Sequence, residues 1–409
     1  MNKKKIINDP IYGFIPIRTD LIFDIIEHPY FQRLRRIKQM GLTDLVYPGA
    51  HNTRFHHALG AMHLMSLALE TLKSKGIEVT SNEFEGALIA ILLHDIGHGP
   101  FSHALETTLL QNVHHEEISL VFMKKLNQYF DDQLNTAIEI FTGTYEKKFL
   151  HQLVSGQLDI DRLDYLNRDC YFTGVNEGIV SFERIINMLN VVDDDIVVEE
   201  KGIYSIENFL NARRLMYWQV YLHKTSISAE LMLIQIIKRA KFCFKNSEPI
   251  NISEPLKYFL KKKITLNDFY NDSESLAHFS NLDDIDVMSA IKFWANHSDK
   301  VLSILCKSLI NRNLFSVTLQ NSPINSEIVE TTKAELAEKL GLSKSEISFL
   351  VITGNMTNSA YISGSKNINI LLKSKKILDI ADASDLPNIK ALRKIVRKYY
   401  LCNPKNIYL

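Results

Sequence analysis

Histidine and acidic side chains that could bind a metal ion are concentrated in the first 165 positions of the chain. Ten of the 14 histidines lie between His28 and His115. His94-Asp95 directly follows an apolar run, Gly86 to Leu93, and should therefore lie deep in the domain. Burying an ionised carboxylate without a partner is costly, so Asp95 requires an arginine, backbone amides or a cation beside it. For an isolated His-Asp pair, an arginine or amides would be the better interpretation.

Neighbouring histidines and acids favour a cation, rather than an arginine or amides, as the partner of Asp95. His98 follows His94 by one helical turn, His57 lies near the start of another predicted helix, and Asp161 lies at the start of a third. Two imidazoles and two carboxylates suit a borderline-to-hard divalent ion, namely Mn, Fe, Co, Ni, Zn or Mg. Ligands from three helices can meet at one ion only if those helices converge. We therefore expect a helical core with a single divalent cation.

Apolar periodicity and capping signals predict a mainly α fold. Thr80 and Glu83 form a capping-box pattern that predicts a helix start. A small β-hairpin is predicted from strands at 196–198 and 203–206, followed by one long helix over 206–244. Beyond Arg312, predicted strands at 314–319, 349–353 and 368–372 and helices at 326–340 and 387–400 indicate a smaller C-terminal α+β lobe.

Composition excludes several classes of protein. No apolar stretch approaches the roughly 20 residues that span a bilayer, and the Lys-rich start has no apolar segment behind it, which argues against a signal peptide. The four cysteines are far apart and form no CxxC pair, as expected in a reducing compartment. The 47 basic and 47 acidic residues balance, so no global charge favours nucleic acid or an anionic membrane. We expect a cytoplasmic enzyme that binds neither.

The order His … His-Asp … Asp is that of the HD superfamily, and the surrounding motifs resemble one group within it. That group is the deoxynucleoside triphosphate (dNTP) triphosphohydrolases, which include bacterial dGTP-hydrolysing enzymes and the catalytic core of the mammalian SAM-and-HD-domain enzyme. The central motif is LHDIGHGPFSH at 93–103. The others are FQRLRRIKQ (31–39), YPGA (47–50), RFHH (54–57), DIDRLDY (159–165), RDC (168–170) and YLHK (221–224), with RNLF (312–315) as a further echo.

The resemblance implies an HD-domain helical core and a division into four segments. These are an N-terminal segment with the first helices (1–45), an HD phosphohydrolase core (46–245), a helical extension (246–312) and the small C-terminal lobe (313–409). By position, the implied metal ligands are His57, His94, Asp95 and Asp161. Proton transfer during attack on the α-phosphorus would fall to His98, His115 and Glu106, the last replacing an Asp of better-known members.

The same comparison implies a deoxynucleotide site. Residues matching triphosphate contacts are Arg54, His103, Arg162, Tyr165 and Arg213, and position 162 is often Lys in relatives. Residues matching contacts to the sugar are Gln39, Asp169 and Tyr221. A tyrosine beside the 2′ carbon would leave no room for a 2′-hydroxyl and so reject ribonucleotides. The implied products are a deoxynucleoside and inorganic tripolyphosphate.

Some relatives also carry an activating guanine-nucleotide site at a subunit interface. The matching residues here are Lys5, Asn8, Gln32, Arg35 and, after one inserted residue, Glu27. If that site exists, the enzyme is a homo-oligomer, a dimer or tetramer, that a nucleotide switches on.

Three other functions remain open from the sequence. One is an HD phosphohydrolase of different specificity, such as a nucleotidase or a hydrolase of another phosphate ester. Another is a nucleic-acid-binding protein or HD nuclease, which the zero net charge argues against although local basic patches keep it open. The third is a nucleotide sensor without turnover, which the presence of all four ligand residues argues against.

Overall fold

A computed structural model describes residues 5–101, 103–245, 252–358, 361, 367–392 and 395–405 of the chain; the side chains of His103, Thr107 and Asn388 lie outside this description. Helices dominate, which confirms the mainly α prediction. The helices of the first 245 residues are α1 (Asp20–Glu27), α2 (Pro29–Gln32), α3 (Arg54–Ser74), α4 (Ser81–Leu93), α5 (His103–Leu109), α6 (His115–Tyr129), α7 (Asn135–Thr142), α8 (Lys148–Val154), α9 (Ile160–Thr173), α10 (Phe182–Met188), α11 (Ile203–Met216) and α12 (Lys224–Lys245).

The remaining helices and three small sheets complete the described part of the chain. The helices are α13 (Glu254–Lys261), α14 (Leu266–Asn271), α15 (Ser273–Ser280), α16 (Asp284–Trp294), α17 (Lys300–Ile310), α18 (Ser326–Leu340), α19 (Lys344–Ile347), α20 (Ile380–Ala383) and α21 (Pro387–Ala391). The strands are β1 (Ile6–Asp9), β2 (Gly13–Pro16), β3 (Leu189–Val192), β4 (Asp195–Glu199), β5 (Ser316–Gln320), β6 (Ile352–Asn358), β7 (Asn369–Leu371), β8 (Ile377–Asp379) and β9 (Val396–Asn403). They pair in the orders β1-β2, β3-β4-β7-β8 and β5-β9-β6.

Helices α3 and α4 form the centre of the core, and both pack against further helices on several sides. From Gly86 to Leu93 every residue of α4 is buried, as its unbroken apolar sequence predicts. The predicted capping box is confirmed: Thr80 Oγ1 accepts from the Glu83 amide at 3.2 Å, and Glu83 Oε2 accepts from the Thr80 amide at 2.8 Å. This cap fixes where α4 begins, and therefore where His94 emerges at its buried end.

The β-hairpin lies earlier in the chain than predicted. It is β3-β4, joined by Asp193 and Asp194, both of which have left-handed φ angles of 51° and 64°. A two-residue turn with positive φ at both positions matches the twist of a hairpin, and Asp tolerates it. The segment 203–206, predicted to be the second strand, instead begins α11.

The predicted helix over 206–244 is also interrupted. A π-helical turn at Tyr217–Tyr221 separates α11 from α12. His223 Nδ1 accepts a hydrogen bond from the amide of Thr225 at 3.2 Å, near the start of α12. π-turns occur preferentially at functional sites, and this one turns Tyr217 and Tyr221 toward a cavity described below.

The segment predicted as the C-terminal lobe contains both helices and strands, but two of its elements were predicted wrongly, and its strand β7 pairs with β4 of the earlier hairpin. Helix 326–340 matches α18, and β5 and β7 fall on predicted strands. The strand predicted at 349–353 is displaced to Ile352–Asn358. The helix predicted over 387–400 is wrong: only Pro387–Ala391 is helical, and Val396–Asn403 is the central strand between β5 and β6. Its β-branched and aromatic residues fit a pleated, half-buried strand better than a helix.

The four-segment division stays a prediction. No helix within the described ranges is long and apolar enough to cross a membrane.

A buried ion pair fastens α12 to α17. Arg239 Nε and Nη2 donate to the two carboxylate oxygens of Asp299 at 3.0 and 2.5 Å, and both side chains are less than 10% exposed. Asp299 Oδ1 also caps α17 by accepting from the Leu302 amide at 2.8 Å. Burial opposes ionisation of Asp299, but Arg239 outweighs it and lowers the pKa of the carboxyl.

We predict that Asp299→Asn lowers the free energy of unfolding by about 2 kcal/mol at pH 7, since the buried Arg239 loses its nearer carboxylate and keeps only the partly exposed Glu346, 3.6 Å away, while the cap is kept. Because the folded pKa of Asp299 is depressed, its contribution is present above the unfolded pKa of about 4 and is lost as pH falls through the folded value. Urea unfolding at several pH values checks both points. Equal stability of the two proteins at pH 7 would contradict the prediction.

Candidate active site

Four side chains from three helices bring their donor atoms together at the end of α4. Asp161 Oδ1 lies 3.1 Å from His57 Nε2 and 3.4 Å from His94 Nε2. The two imidazole Nε2 atoms are 3.3 Å apart. Asp95 Oδ1 lies 3.3 Å from His94 Nε2, and its Oδ2 lies 3.7 Å from His57 Nε2. A cation about 2.1 Å from each donor would set neighbouring donors roughly 3.0–3.4 Å apart. His57, His94 and Asp161 come close to this spacing and could hold one metal ion, whereas Asp95 approaches His94 with one oxygen and also groups with His98 and His115.

The hydrogen bonds on the far side of each imidazole support that interpretation. His94 Nδ1 lies 2.6 Å from the carbonyl oxygen of Ile91, which can only accept, so Nδ1 carries the proton. His57 Nδ1 lies 2.7 Å from Asp164 Oδ2. A proton on each Nδ1 leaves the Nε2 lone pairs of both rings facing each other and the carboxylates. Metal-binding histidines are commonly fixed in this way. The residues present therefore fit a divalent cation.

Local sequence explains how the helices deliver these ligands. His57 lies in the first turn of α3, and His94 and Asp95 follow the last turn of α4. Asp159 caps α9 by accepting from the Arg162 amide at 2.8 Å, which places Asp161 in the first turn of that helix. All four predicted ligand residues therefore come from helix ends that meet.

A second group joins the first through Asp95. His98 Nε2 lies 3.4 Å from Asp95 Oδ1, and the rings of His98 and His115 stack with centroids 3.7 Å apart. Glu106 Oε1 accepts from the backbone amide of His115 at 2.9 Å and lies 3.5 Å from its Nδ1. Burial, reinforced by Arg54, holds the pKa of His98 well below its usual range. The three residues predicted to handle protons are thus contiguous with the candidate metal ligands.

Gly97 permits the close approach that pairs these histidines. A Cβ at this position would lie 2.2 Å from the carbonyl oxygen of His115 and 2.3 Å from the amide nitrogen of Ser119. Ser119 Oγ in turn donates to the carbonyl oxygen of His94 at 2.7 Å and accepts from the Gly97 amide at 2.9 Å. The turn after α4 is therefore docked on the first turns of α6, and His98 is held against His115.

A cavity of about 370 Å³ opens beside both groups, a volume in the range of small-molecule sites. Most of the predicted site residues line this cavity. Glu106, Arg213 and the predicted ligands His57 and His94 are not among its lining residues, and the predicted His103 contact lies outside the described side chains. The predicted residues that line it are Gln39, Arg54, Asp95, His98, His115, Asp161, Arg162, Tyr165, Asp169 and Tyr221.

One end of the cavity carries a buried carboxyl with two fixed partners. Asn52 Nδ2 donates to Asp169 Oδ1 at 3.0 Å, and the Tyr221 hydroxyl donates to Oδ2 at 2.8 Å. Burial raises the pKa of Asp169 to about 6. Within the described part of the chain, the buried Gln39 Oε1 has no hydrogen-bond partner. These groups could recognise a hydroxyl of a bound sugar.

Two arginines, Arg54 and Arg162, also line the cavity. Arg54 Nη1 is paired with Asp95, and Arg162 Nη1 is paired with Asp159 and donates to the Gly156 carbonyl at 2.5 Å. Arg213 is buried, and among the described residues its Nε and Nη1 find no hydrogen-bond partner. Its guanidinium carbon lies 6.0 Å from the ring centroid of Tyr217, which does line the cavity. Arg213 therefore lies next to a residue that lines the cavity.

A separate cavity of about 330 Å³ lies beside strand β1. Its lining includes Lys5, Asn8, Glu27 and Arg35, four of the five residues predicted for a nucleotide activator. Gln32 is not in the lining: its Nε2 donates to the Ile26 carbonyl at 2.7 Å, and its Oε1 accepts from Arg35 Nε at 2.8 Å.

The sequence did not reveal several groups that complete the active-site cavity. Asp284, at the start of α16, accepts from the amides of Lys38 and Phe101 at 2.8 and 2.9 Å and so ties the Gln39 segment to the motif loop. Glu230 on α12 lines the cavity, and burial raises its pKa to about 7. Both come from segments without a recognisable motif, so only the three-dimensional arrangement identifies them.

Comparisons with known proteins agree with this geometry. The HD domain family model matches residues 54–169, and the model of the HD associated region matches 180–248. A phosphohydrolase structure from Bacteroides thetaiotaomicron superposes with a TM-score of 0.95 at 51% identity, covering 98% of this chain and 100% of that one. The Bacillus subtilis uncharacterized protein YwfO is 34% identical over 328 residues, 77% of this chain and 72% of YwfO.

A further relative is the Dictyostelium discoideum homolog of deoxynucleoside triphosphate triphosphohydrolase SAMHD1. It is 33% identical over 278 residues, which are 62% of this chain and 54% of that protein. The chain belongs to the HD-domain family of metal-dependent phosphohydrolases. Its relatives within that family include the deoxynucleoside triphosphate triphosphohydrolases that the motifs resemble.

We predict that Asp161→Asn weakens the binding of Mn²⁺ or Co²⁺ by about tenfold or more, since the neutral amide removes one of the converging charges. Thermal unfolding with and without the metal checks this, because an ion that binds only the folded protein raises the midpoint in proportion to its affinity. The matched control is Asp20→Asn, an exposed acid on α1. A metal-induced shift of the same size in all three proteins would contradict the assignment.

Proposed function

We propose that this enzyme hydrolyses deoxynucleoside triphosphates to a deoxynucleoside and tripolyphosphate. The observation that carries the proposal is one cavity lined by two of the predicted metal ligands, Asp95 and Asp161, by the His98–His115 pair, and by Asp169 and Tyr221. A nucleotide lying along it would place its phosphates at the first two of these groups and its sugar at the last. The relatives named for this activity support the same substrate class.

Charge supports a bound cation as part of this site. Four acidic residues line the cavity, Asp95, Asp161, Asp169 and Glu230, against two arginines, Arg54 and Arg162. A polyanionic triphosphate would be repelled unless a cation offset the carboxylates. Held by His57, His94, Asp95 and Asp161, a divalent ion would supply Lewis acidity toward the phosphate and activate water.

The chain's own residues then divide the remaining tasks. His98 and His115, stacked beside Asp95, are positioned to move protons at the attacking water and the leaving sugar oxygen. Arg54 and Arg162, together with Arg213, offset charge that develops on the phosphates. Arginine suits this role because its planar fork can donate two hydrogen bonds to one phosphate.

Discrimination against ribonucleotides would rest on Tyr221. Its hydroxyl is fixed on Asp169 at 2.8 Å, and its ring is packed 5.2 Å from that of Tyr217 and 6.2 Å from that of Tyr165. A ring held on three sides cannot swing away to admit a 2′-hydroxyl. A rigid wall of this kind rejects the larger sugar by steric exclusion.

The direct test is product analysis by chromatography after incubation with Mn²⁺ or Mg²⁺ and each dNTP, NTP and deoxynucleoside monophosphate. We expect tripolyphosphate and deoxynucleoside from dNTPs, in equal amounts, and little turnover of NTPs. Release of phosphate from monophosphates alone would instead assign a nucleotidase of the same family and end this proposal.

We further predict that Glu106→Gln lowers kcat by about 10–100-fold with KM nearly unchanged, because the charge beside His115 Nδ1 is lost while the bond to its backbone amide is kept. Glu116→Gln is the matched control. That acid lies 3.4 Å from His115 Nε2 but is 62% exposed, so its removal should change kcat less than twofold. Equal effects of the two substitutions would exclude a special role for Glu106.

Regulation by a guanine nucleotide is proposed for the cavity beside β1. Supporting it are Lys5, with Nζ 3.0 Å from the Phe23 ring centroid, and Arg35, with its guanidinium carbon 3.6 Å from that of Phe55. Both cations flank a cavity that also contains Glu27, an acceptor for a base. We propose that the enzyme is cytoplasmic, in agreement with the four free cysteines expected of a reducing compartment. We also propose that it is a homo-oligomer, a dimer or tetramer. The product assay with and without GTP tests the activation.

A further inference from the structure

A chain of buried charges connects the candidate metal ligand His57 to the N-terminal hairpin β1-β2. His57 Nδ1 lies 2.7 Å from Asp164 Oδ2. Arg168 donates to both oxygens of Asp164, from Nε and Nη2, at 2.9 Å each. The remaining nitrogen, Arg168 Nη1, donates to Asp9 Oδ2 at 2.8 Å. These contacts form an unbroken path from the metal centre to the end of β1.

Every member of this path is removed from solvent. His57, Asp164 and Arg168 are fully buried, and Asp9 is 7% exposed. In such surroundings an unpaired guanidinium is strongly unfavourable, so the position of Arg168 depends on both carboxylates. Arg168 in turn fixes the plane of the Asp164 carboxylate, and that carboxylate fixes the tautomer and orientation of the His57 ring.

Gly60 on α3 shows how tightly this path is enclosed. A Cβ at Gly60 would lie 2.1 Å from Arg168 Nη2 and 2.1 Å from Asp164 Oδ1. No side chain larger than hydrogen leaves room for this ion pair. The ion pair therefore has one available position between α3 and α9.

The two oxygens of Asp9 serve different elements. Oδ1 accepts from the amides of Ile11 and Tyr12 at 2.9 and 3.0 Å and so holds the turn between β1 and β2. Oδ2 is the atom that contacts Arg168. Asp9 also lines the cavity beside β1. One carboxylate is thus shared by the hairpin, the second cavity and the path to His57.

We propose that Asp9 is a positioning residue for the metal centre, acting through Arg168 and Asp164 on His57, so that the conformation of the β1-β2 hairpin sets the affinity for the metal. This inference rests on the proposed metal centre. It extends the set of residues that control metal binding from His57 to Asp9, at the end of β1. By linkage, the effect is reciprocal: a bound metal stabilises the hairpin to the same extent that the hairpin favours the metal. Groups that support metal-binding histidines from behind commonly change metal affinity 10–100-fold when they are removed.

The test is Asp9→Asn, in which Oδ1 can still hold the turn while the amide nitrogen meets Arg168 without charge. Apo protein is titrated with Co²⁺ or Mn²⁺ by calorimetry, with no substrate present. We expect Asp9→Asn to weaken metal binding about tenfold. Asp299→Asn is the matched control: it breaks a buried Arg–Asp pair of similar geometry at α17, far along the chain from this path, and should leave metal affinity unchanged.

A second measurement compares hydrogen exchange in wild-type protein with that in a variant of the path. Hydrogen exchange of wild-type protein should slow in the segment 5–17 when the metal is added, and Asp164→Asn should remove that slowing. Unchanged affinity in Asp9→Asn, together with unchanged exchange in 5–17, would overturn the inference and leave Asp9 a structural residue. If wild-type protein binds no metal at all, the proposed metal centre itself fails, which is a distinguishable result.

Discussion

The structure depends on balancing negative charge at the buried end of α4. Asp95 and Asp161 approach within 3.1–3.7 Å of two imidazole nitrogens whose outer nitrogens are committed to Ile91 and Asp164. In a low-dielectric interior such a group of donors is costly without a cation at its centre. The neighbouring pairs, Arg54 with Asp95 and Arg168 with Asp164, balance the charges around it.

The helical fold meets this requirement by bringing three helix ends together. α3 packs against both α4 and α9, and the predicted ligands come from the first turns of α3 and α9 and from the residues that follow α4. Glycines allow the closest approaches: Gly97 lets the turn after α4 meet α6, and Gly60 admits the Arg168–Asp164 pair. Segments outside the HD domain match add support, since Asp284 and Arg33 bind the backbone of the motif loop at Phe101 and His98.

The residues predicted to carry chemistry were easier to identify from the sequence than the helices and strands around them. His57, His94, Asp95 and Asp161 could be placed together because a buried His-Asp pair needs compensation and because their spacing matches a family. The hairpin was misplaced because two aspartates with positive φ, rather than a glycine, form its turn. The last helix was wrong because β9 is specified by partners distant in sequence, β5 and β6, which no local pattern reveals.

Residues that act through others were the least predictable. Asp284 and Glu230 carry no motif, and Asp9 reaches the metal centre only through a path of three side chains. Their positions follow from long-range packing, so spacing along the chain gives no indication of them. Arg213, which the resemblance places at the triphosphate, lies beside the lining residue Tyr217 but is not itself in the lining, so its substrate contact stays a prediction.

The central claim is that four side chains share one cation. X-ray diffraction from crystals grown with Mn²⁺ or Co²⁺, recorded at the absorption edge of that metal, tests it most directly. The account predicts one strong anomalous peak per chain, about 2.1 Å from His57 Nε2, His94 Nε2 and a carboxylate oxygen of both Asp95 and Asp161. A peak elsewhere, or none among these atoms at saturating metal, would contradict it.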